Sequence, residues 1–189
     1  MKCKCLITLL VLVMLTAATT HAAGDWWYET TGWFEGHFYR TPSNTSGDLF
    51  NPQEFSLDVF GSFYDDDRRV GRSVLRGQCG GGIGGNYFVT RELGVTLDTN
   101  IADNGRSFFD YFHASAVFRW PFEECKIAPY ALIGIGYDFD PNDELTEHAG
   151  VGAEYRLNPI TGIFADTRYV FTDKSTDYWV FRIGVRFVF

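Results

Sequence analysis

From Trp179 to Phe189 the chain alternates in character with a period of two. Trp179, Phe181, Ile183, Val185, Phe187 and Phe189 form one apolar face, and Arg182, Gly184 and Arg186 fall on the other. That is the strand period; a helix would scatter the two arginines around its circumference. The pattern recurs. In Phe55 to Tyr64, residues Phe55, Leu57, Val59 and Phe63 alternate with Ser56, Asp58 and Ser62. Leu93 to Ile101 sets Leu93, Val95, Leu97 and Ile101 against Thr96, Asp98 and Asn100. Further segments are Phe108 to Trp120, Tyr130 to Phe139, Glu147 to Leu157 and Thr161 to Phe171, and the glycine-dense stretch Val74 to Val89 completes the set. The expectation is eight strands of roughly ten residues, the length a tilted strand needs to cross a bilayer.

The connectors alternate too. YDDDRRVGR (64–72), ADNGR (102–106), DPNDE (140–144) and TDKST (172–176) are charged or turn-rich, whereas FVTREL (88–93), FRWPFEECKIAP (118–129) and RLNPIT (156–161) are mostly tighter or carry proline. A sheet with one apolar and one charged face survives in lipid by closing on itself, apolar side outward. The fold expected is therefore all-β: an eight-stranded antiparallel up-and-down transmembrane β-barrel, with both chain ends on one side.

Composition sharpens the picture at the N-terminus. Lys2 and Lys4 precede an apolar core from Leu6 to Leu15 and small residues up to Ala22 and Ala23. This is the layout of a cleaved secretory signal peptide, too short to span a bilayer. Cys3 and Cys5 precede the apolar core, which argues against a lipoprotein signal. Expected boundaries are 1–23 for the signal peptide, 24–53 for an aromatic-rich periplasmic extension and 54–189 for the barrel. Without Lys2 and Lys4 the chain has fourteen basic residues against twenty-four acidic ones, a formal charge of −10. That is opposite in sign to a nucleic-acid-binding surface. Trp26, Trp27, Trp33 and Phe34 in the extension fit contact with lipid headgroups, with a periplasmic partner, or a plug at the barrel mouth.

Residues 54–189 resemble the small outer-membrane barrels of Gram-negative bacteria of the outer membrane protein A transmembrane-domain type. The segment GGGIGGNYFVTRELGVTLD (80–98) resembles that superfamily's glycine-rich strand, short turn and following strand. The terminal FVF resembles its aromatic-ended last strand, which implies recognition of Phe189 by the barrel-assembly machinery. The resemblance implies a bacterial outer-membrane location, outer-membrane lipids as partners and a monomer. It constrains activity little, because function lives in sites grafted onto folds.

Candidate chemistry is sparse. Gly80, Gly82 and Gly85 have the spacing of a dinucleotide fingerprint, but that motif needs a following helix, and a strand follows here. They read instead as glycines that let a strand bend and make room for bulky neighbours. His113 and Ser115 resemble the His-x-Ser pair of outer-membrane phospholipase and deacylase barrels, in which the histidine activates the serine. Parity turns this pair inward, beside Arg119, and the residues after the serine are Ala116 and Val117. A hydrogen-bonded lumen histidine is the favoured reading. The other histidines lack ligand spacing, so neither a metal nor another cofactor is expected.

The inward positions carry acids Asp58, Asp98, Asp138, Glu154 and Asp166 and bases Arg76, Arg119, Arg156, Arg168, Arg182 and Arg186. In so narrow a barrel these charges should pair into a salt-bridged core rather than line a gated ion path. The sequence thus points to a non-enzymatic barrel with structural or surface-interaction duties. The alternatives are a small gated pore and a lipid-modifying enzyme using His113 and Ser115. Cys79 and Cys125 fall near opposite ends of the barrel, roughly 25 Å or more apart, so two free thiols are expected, Cys79 facing lipid and Cys125 the periplasm.

Overall fold

The computed structural model describes residues 48–66, 78–102, 110–139, 143–173 and 177–189. The signal peptide, most of the 24–53 extension, the four charged connectors in large part, and Arg76 lie outside the described residues. Eight strands follow one another: β1 (Glu54–Asp66), β2 (Gln78–Phe88), β3 (Leu93–Ala102), β4 (Tyr111–Arg119), β5 (Ile127–Asp138), β6 (Glu144–Asn158), β7 (Thr161–Thr172) and β8 (Tyr178–Val188). Each pairs antiparallel with its sequence neighbours, and β1 pairs with β8, so the sheet closes into a barrel in strand order. The seam is in register from Ser56↔Val188 to Asp66↔Tyr178, and Phe189 N–H donates to Phe55 C=O at 2.9 Å beyond its end.

Alternation sends the two residue classes to opposite sides, inverted relative to a water-soluble protein. Ile133, Leu145 and Ile183 are 68%, 64% and 56% exposed, while Arg119 and Arg156 are fully buried. Only a lipid solvent makes that arrangement favourable, since exposed apolar belts and buried charges are each costly in water. Among the described residues no helix is long and apolar enough to cross a membrane; the strands make the crossing. The parity is not strict: Phe60, Leu132 and Val180 are apolar residues of the inward face, and Val185 is buried although it sits on the outward face, between Val59 of β1 and Ile163 of β7.

The boundaries depart from the sequence expectation by three residues at three strands, the first being β4, which begins at Tyr111 rather than Phe108. β5 begins at Ile127 rather than Tyr130, taking in Pro129, whose carbonyl accepts from Trp120 N–H at 2.8 Å. β6 begins at Glu144 rather than Glu147, continuing the inward parity through Glu144 and Thr146. The short turns lie at the end where β1 starts and β8 finishes. Thr90 Oγ1 accepts from Leu93 N–H at 2.9 Å in one, and Asn158 Oδ1 from Ile160 N–H at 3.0 Å in another. In the longer β4–β5 connector Lys126 adopts φ 59°, and Phe122 and Ile127 form an isolated bridge.

Cys125 is an exposed free thiol in this connector. Cys79 faces outward as expected but is disulfide-bonded. The expectation of two free thiols fails there.

Candidate functional site

The lumen is the place where polar chemistry gathers, and it is organised in three levels. The first closes the mouth at the short-turn end. The chain leading into β1 crosses this mouth, with Leu49 and Phe50 N–H donating to the Glu123 carboxylate at 2.9 and 3.4 Å. Gln53 turns it into the strand with φ 56°. Phe50 is thereby fully buried, with the guanidinium carbons of Arg119 and Arg156 5.2 and 5.0 Å from its ring centroid. Arg119 also lies 3.6 Å over Phe88, an attraction of cation for ring that strengthens on desolvation. Glu54 Oε1 accepts from Arg119 at 2.8 Å and from Arg156 at 2.5 Å.

The second level consists of two ion-paired clusters. Arg186 grips both oxygens of Asp58 at 2.8 Å and donates to Glu154 at 2.6 Å; Glu154 also pairs with Arg156, joining this level to the mouth. Arg182 holds Asp166 at 2.8 and 2.6 Å and Asp98 at 3.0 Å, and Arg168 donates to Asp98 at 2.9 Å. Tyr130 OH donates to Asp166 at 2.9 Å. Five arginines and five carboxylates are interlocked over these two levels among the described residues. A buried ion is tolerated when an oppositely charged partner is supplied, as it is for each of these groups. The cavity between Tyr130, Asp166, Arg168, Arg182 and Arg186 has a volume of about 10 Å³. That is at the lower bound for a single water.

The third level lies toward the far end. His113 stacks between Tyr111, at 4.0 Å between centroids, and His148, at 4.4 Å. Ser115 Oγ and His148 Nε2 are hydrogen-bonded at 2.7 Å, while His113 Nε2 faces Asp138 Oδ1 at 3.6 Å. Tyr178 OH donates to the other Asp138 oxygen at 2.7 Å, and Asn100 binds Tyr64 OH and accepts from Ser62 at 2.9 Å. β4 and β6 are not neighbours. Their side chains meet across β5 because Gly134 and Gly136 present none: a Cβ on Gly134 would stand 2.7 Å from His148 Nε2.

His113 and Ser115 thus point inward as expected, but the serine is hydrogen-bonded to His148 and not to His113. His148, set aside in the sequence for want of ligand spacing, is the partner that sequence reasoning missed; the glycines on the intervening strand were the available signal. A serine bonded to a histidine is the arrangement of an activated nucleophile. Here both residues are buried within the packed lumen, with Ser115 5% exposed and His148 1%. Among the described residues no three His, Cys, Asp or Glu side chains gather closely enough to hold a metal ion. Gly82 makes room as read: a Cβ there would come 2.6 Å from the Phe60 ring. The sequence reading omitted Phe50, Glu54 and Phe88, which build the mouth level.

No family model matches the chain, and no curated protein matches its sequence. Solved structures match its shape. The N-terminal β-barrel domain of Pseudomonas aeruginosa OprF superposes with a TM-score of 0.57 at 15% identity, over 74% of this chain and 99% of that one. A de novo designed transmembrane β-barrel gives 0.55 at 17% identity, over 73% and 97%. Neisserial surface protein A gives 0.51 at 15% identity, over 71% and 95%. The chain has the fold of the small eight-stranded transmembrane barrels.

Proposed function

We propose that this chain is a non-enzymatic outer-membrane β-barrel with a structural or surface-interaction role, inserted as a monomer in the bacterial outer membrane. The observation that carries this reading is the saturated lumen. Five arginines and five carboxylates pair with one another around a space of about 10 Å³, too small for a water path at that level, and Ser115 is buried in the packed lumen. The apolar outer belt suits a lipid surround, and the similar folds of OprF of Pseudomonas aeruginosa and Neisserial surface protein A are those of bacterial proteins. In this reading the signal peptide directs export, the short-turn end with the Phe50 plug faces the periplasm, and the charged connectors face outward. Phe189 then serves as the recognition residue of the assembly machinery.

Planar-bilayer recording on refolded protein tests the sealed lumen. A flat baseline across the applied voltage range is expected; reproducible unitary conductance steps would favour the pore instead.

A further inference from the structure

Toward the far end of the barrel the outward face carries two acids set among aromatic rings. Glu147 of β6 is exposed on the apolar face, and so is Asp65 of β1, one residue from the end of its strand. The register partners of Glu147 are Ile135 of β5 and Phe171 of β7; Tyr137, opposite Leu145, and Tyr169, opposite Ala149, are its diagonal neighbours. Asp65 is opposite Trp179 of β8, which is itself opposite Tyr169. Between the two acids the rings follow one another: Phe171 lies 4.8 Å from Tyr169 between centroids, Tyr169 4.9 Å from Trp179, and Trp179 6.3 Å from Phe181. Among the described residues no lysine or arginine reaches either acid. The arginines of β4, β6, β7 and β8 are buried in the lumen, and Arg91 and Lys126 lie in connectors at the opposite end. Asp177, at the same end as the patch, is held by Thr172 N–H at 2.9 Å and Tyr169 OH at 3.3 Å, which leaves Glu147 and Asp65 as the acids facing outward beside the rings.

The surroundings select the ligand. A divalent ion needs several oxygen ligands, but Glu147 has apolar register partners on both sides, and Asp65 is three strand spacings away, about 14 Å. Among the described residues no three acidic or other metal-binding side chains gather. An organic ammonium asks for less: one carboxylate, and a ring to which the cation is drawn. Trp and Tyr collect where the bilayer meets water, so this patch stands at headgroup level, and an acid turned toward lipid there points to a cationic partner. We propose that the outward patch of Glu147, Phe171, Tyr169, Trp179 and Asp65 binds the ammonium headgroups of membrane lipids, one at each acid. The ammonium sits against Glu147 and Phe171 at one edge and against Asp65 and Trp179 at the other. The acyl chains then follow the apolar belt past Val151 and Ile183, which are 60% and 56% exposed. Two acids at this level favour an ammonium headgroup over one whose only charge is its phosphate. The site rests on the lipid-facing belt and not on the sealed lumen, so lipid selectivity and conductance fail independently.

The test is native mass spectrometry of refolded protein released from micelles that hold equal amounts of phosphatidylethanolamine and phosphatidylglycerol with the same acyl chains. The wild type should retain phosphatidylethanolamine by about threefold over phosphatidylglycerol, the worth of an exposed contact between a cation and a ring. Glu147→Gln and Asp65→Asn should each reduce that preference and together abolish it. Both side chains face outward, so the variants should still fold, which heat-modifiability checks. Glu124→Gln removes one exposed acid at the opposite end and should leave the preference intact, separating the patch from net charge. Equal retention of the two lipids by the wild type overturns the proposal. So does a preference that survives in the double variant, or one that Glu124→Gln removes as well.

Discussion

Asp58 and Arg186 are 128 residues apart in the chain, yet they are register partners across the β1–β8 seam and meet through two hydrogen bonds of 2.8 Å. The strands that close the barrel are thus joined by a buried two-point ion pair as well as by backbone ladders. Removing one partner of such a pair leaves an uncompensated buried charge, costing about 3–5 kcal/mol. Arg186→Ala should lower the urea midpoint of the refolded barrel far more than Arg91→Ala, which removes a part-exposed pair with Glu123 worth about 1 kcal/mol or less. Equal midpoints for the two variants would count against an ion-paired interior.

The plug at the mouth rests on one ring. Phe50→Ala removes the surface on which Arg119 and Arg156 sit and should destabilise the protein by about 3–5 kcal/mol, the usual cost of losing a buried phenylalanine. Hydrogen exchange should also quicken at the Leu49 and Phe50 amides, whose acceptor is Glu123. Unaltered exchange there would show that the lead-in segment is held without the ring.

Two glycines should respond oppositely to the same added methyl. A Cβ on Gly134 would stand 2.7 Å from His148 Nε2, whereas one on Gly85 finds its nearest atom at 3.8 Å. Gly134→Ala should cost about 1–3 kcal/mol through overpacking and break the Ser115–His148 hydrogen bond; Gly85→Ala should be tolerated. Thermal melts of the two variants decide the matter.

Phe189 gives the β1–β8 seam its last backbone hydrogen bond, to Phe55, and its ring lies 6.1 Å from that of Phe55. Deleting it should reduce the heat-modifiable barrel recovered from the membrane fraction and leave precursor behind in the periplasm. Normal membrane levels in the deletion strain would remove Phe189 from the assembly signal.

The two cysteines of the described barrel differ in state. Cys125 should label with maleimide in the folded protein without prior reduction. Peptide mapping without reductant should show no Cys79–Cys125 link.

Much of this was legible in the sequence because a period of two assigns faces without reference to tertiary structure. Asp58, Asp98, Asp166, Arg182 and Arg186 were placed in the lumen by counting alone, and all are buried there. Counting gives the face and not the height, so it could not say which acid meets which arginine. The stagger of the strands brings Glu54 to both Arg119 and Arg156, a meeting with no local signature. Ser115 shows the same limit. His113, two residues away, shares its face, but the partner that reaches the hydroxyl comes from two strands over, above a glycine. Pro129 misled for a different reason: a residue without an N–H reads as a strand breaker, yet β5 accommodates it and uses its carbonyl.

Arg182 and Arg186 both sit on β8, and between them they supply guanidinium contacts to Asp58, Asp98, Glu154 and Asp166. A chain emerging in order from its N-terminus therefore displays an acid surplus on the concave side of the growing sheet until the final strand arrives. The last eleven-residue strand thus supplies the two arginines that offset these four carboxylates, and through Asp58 and Asp166 it ties β1 to β7 across the closing seam.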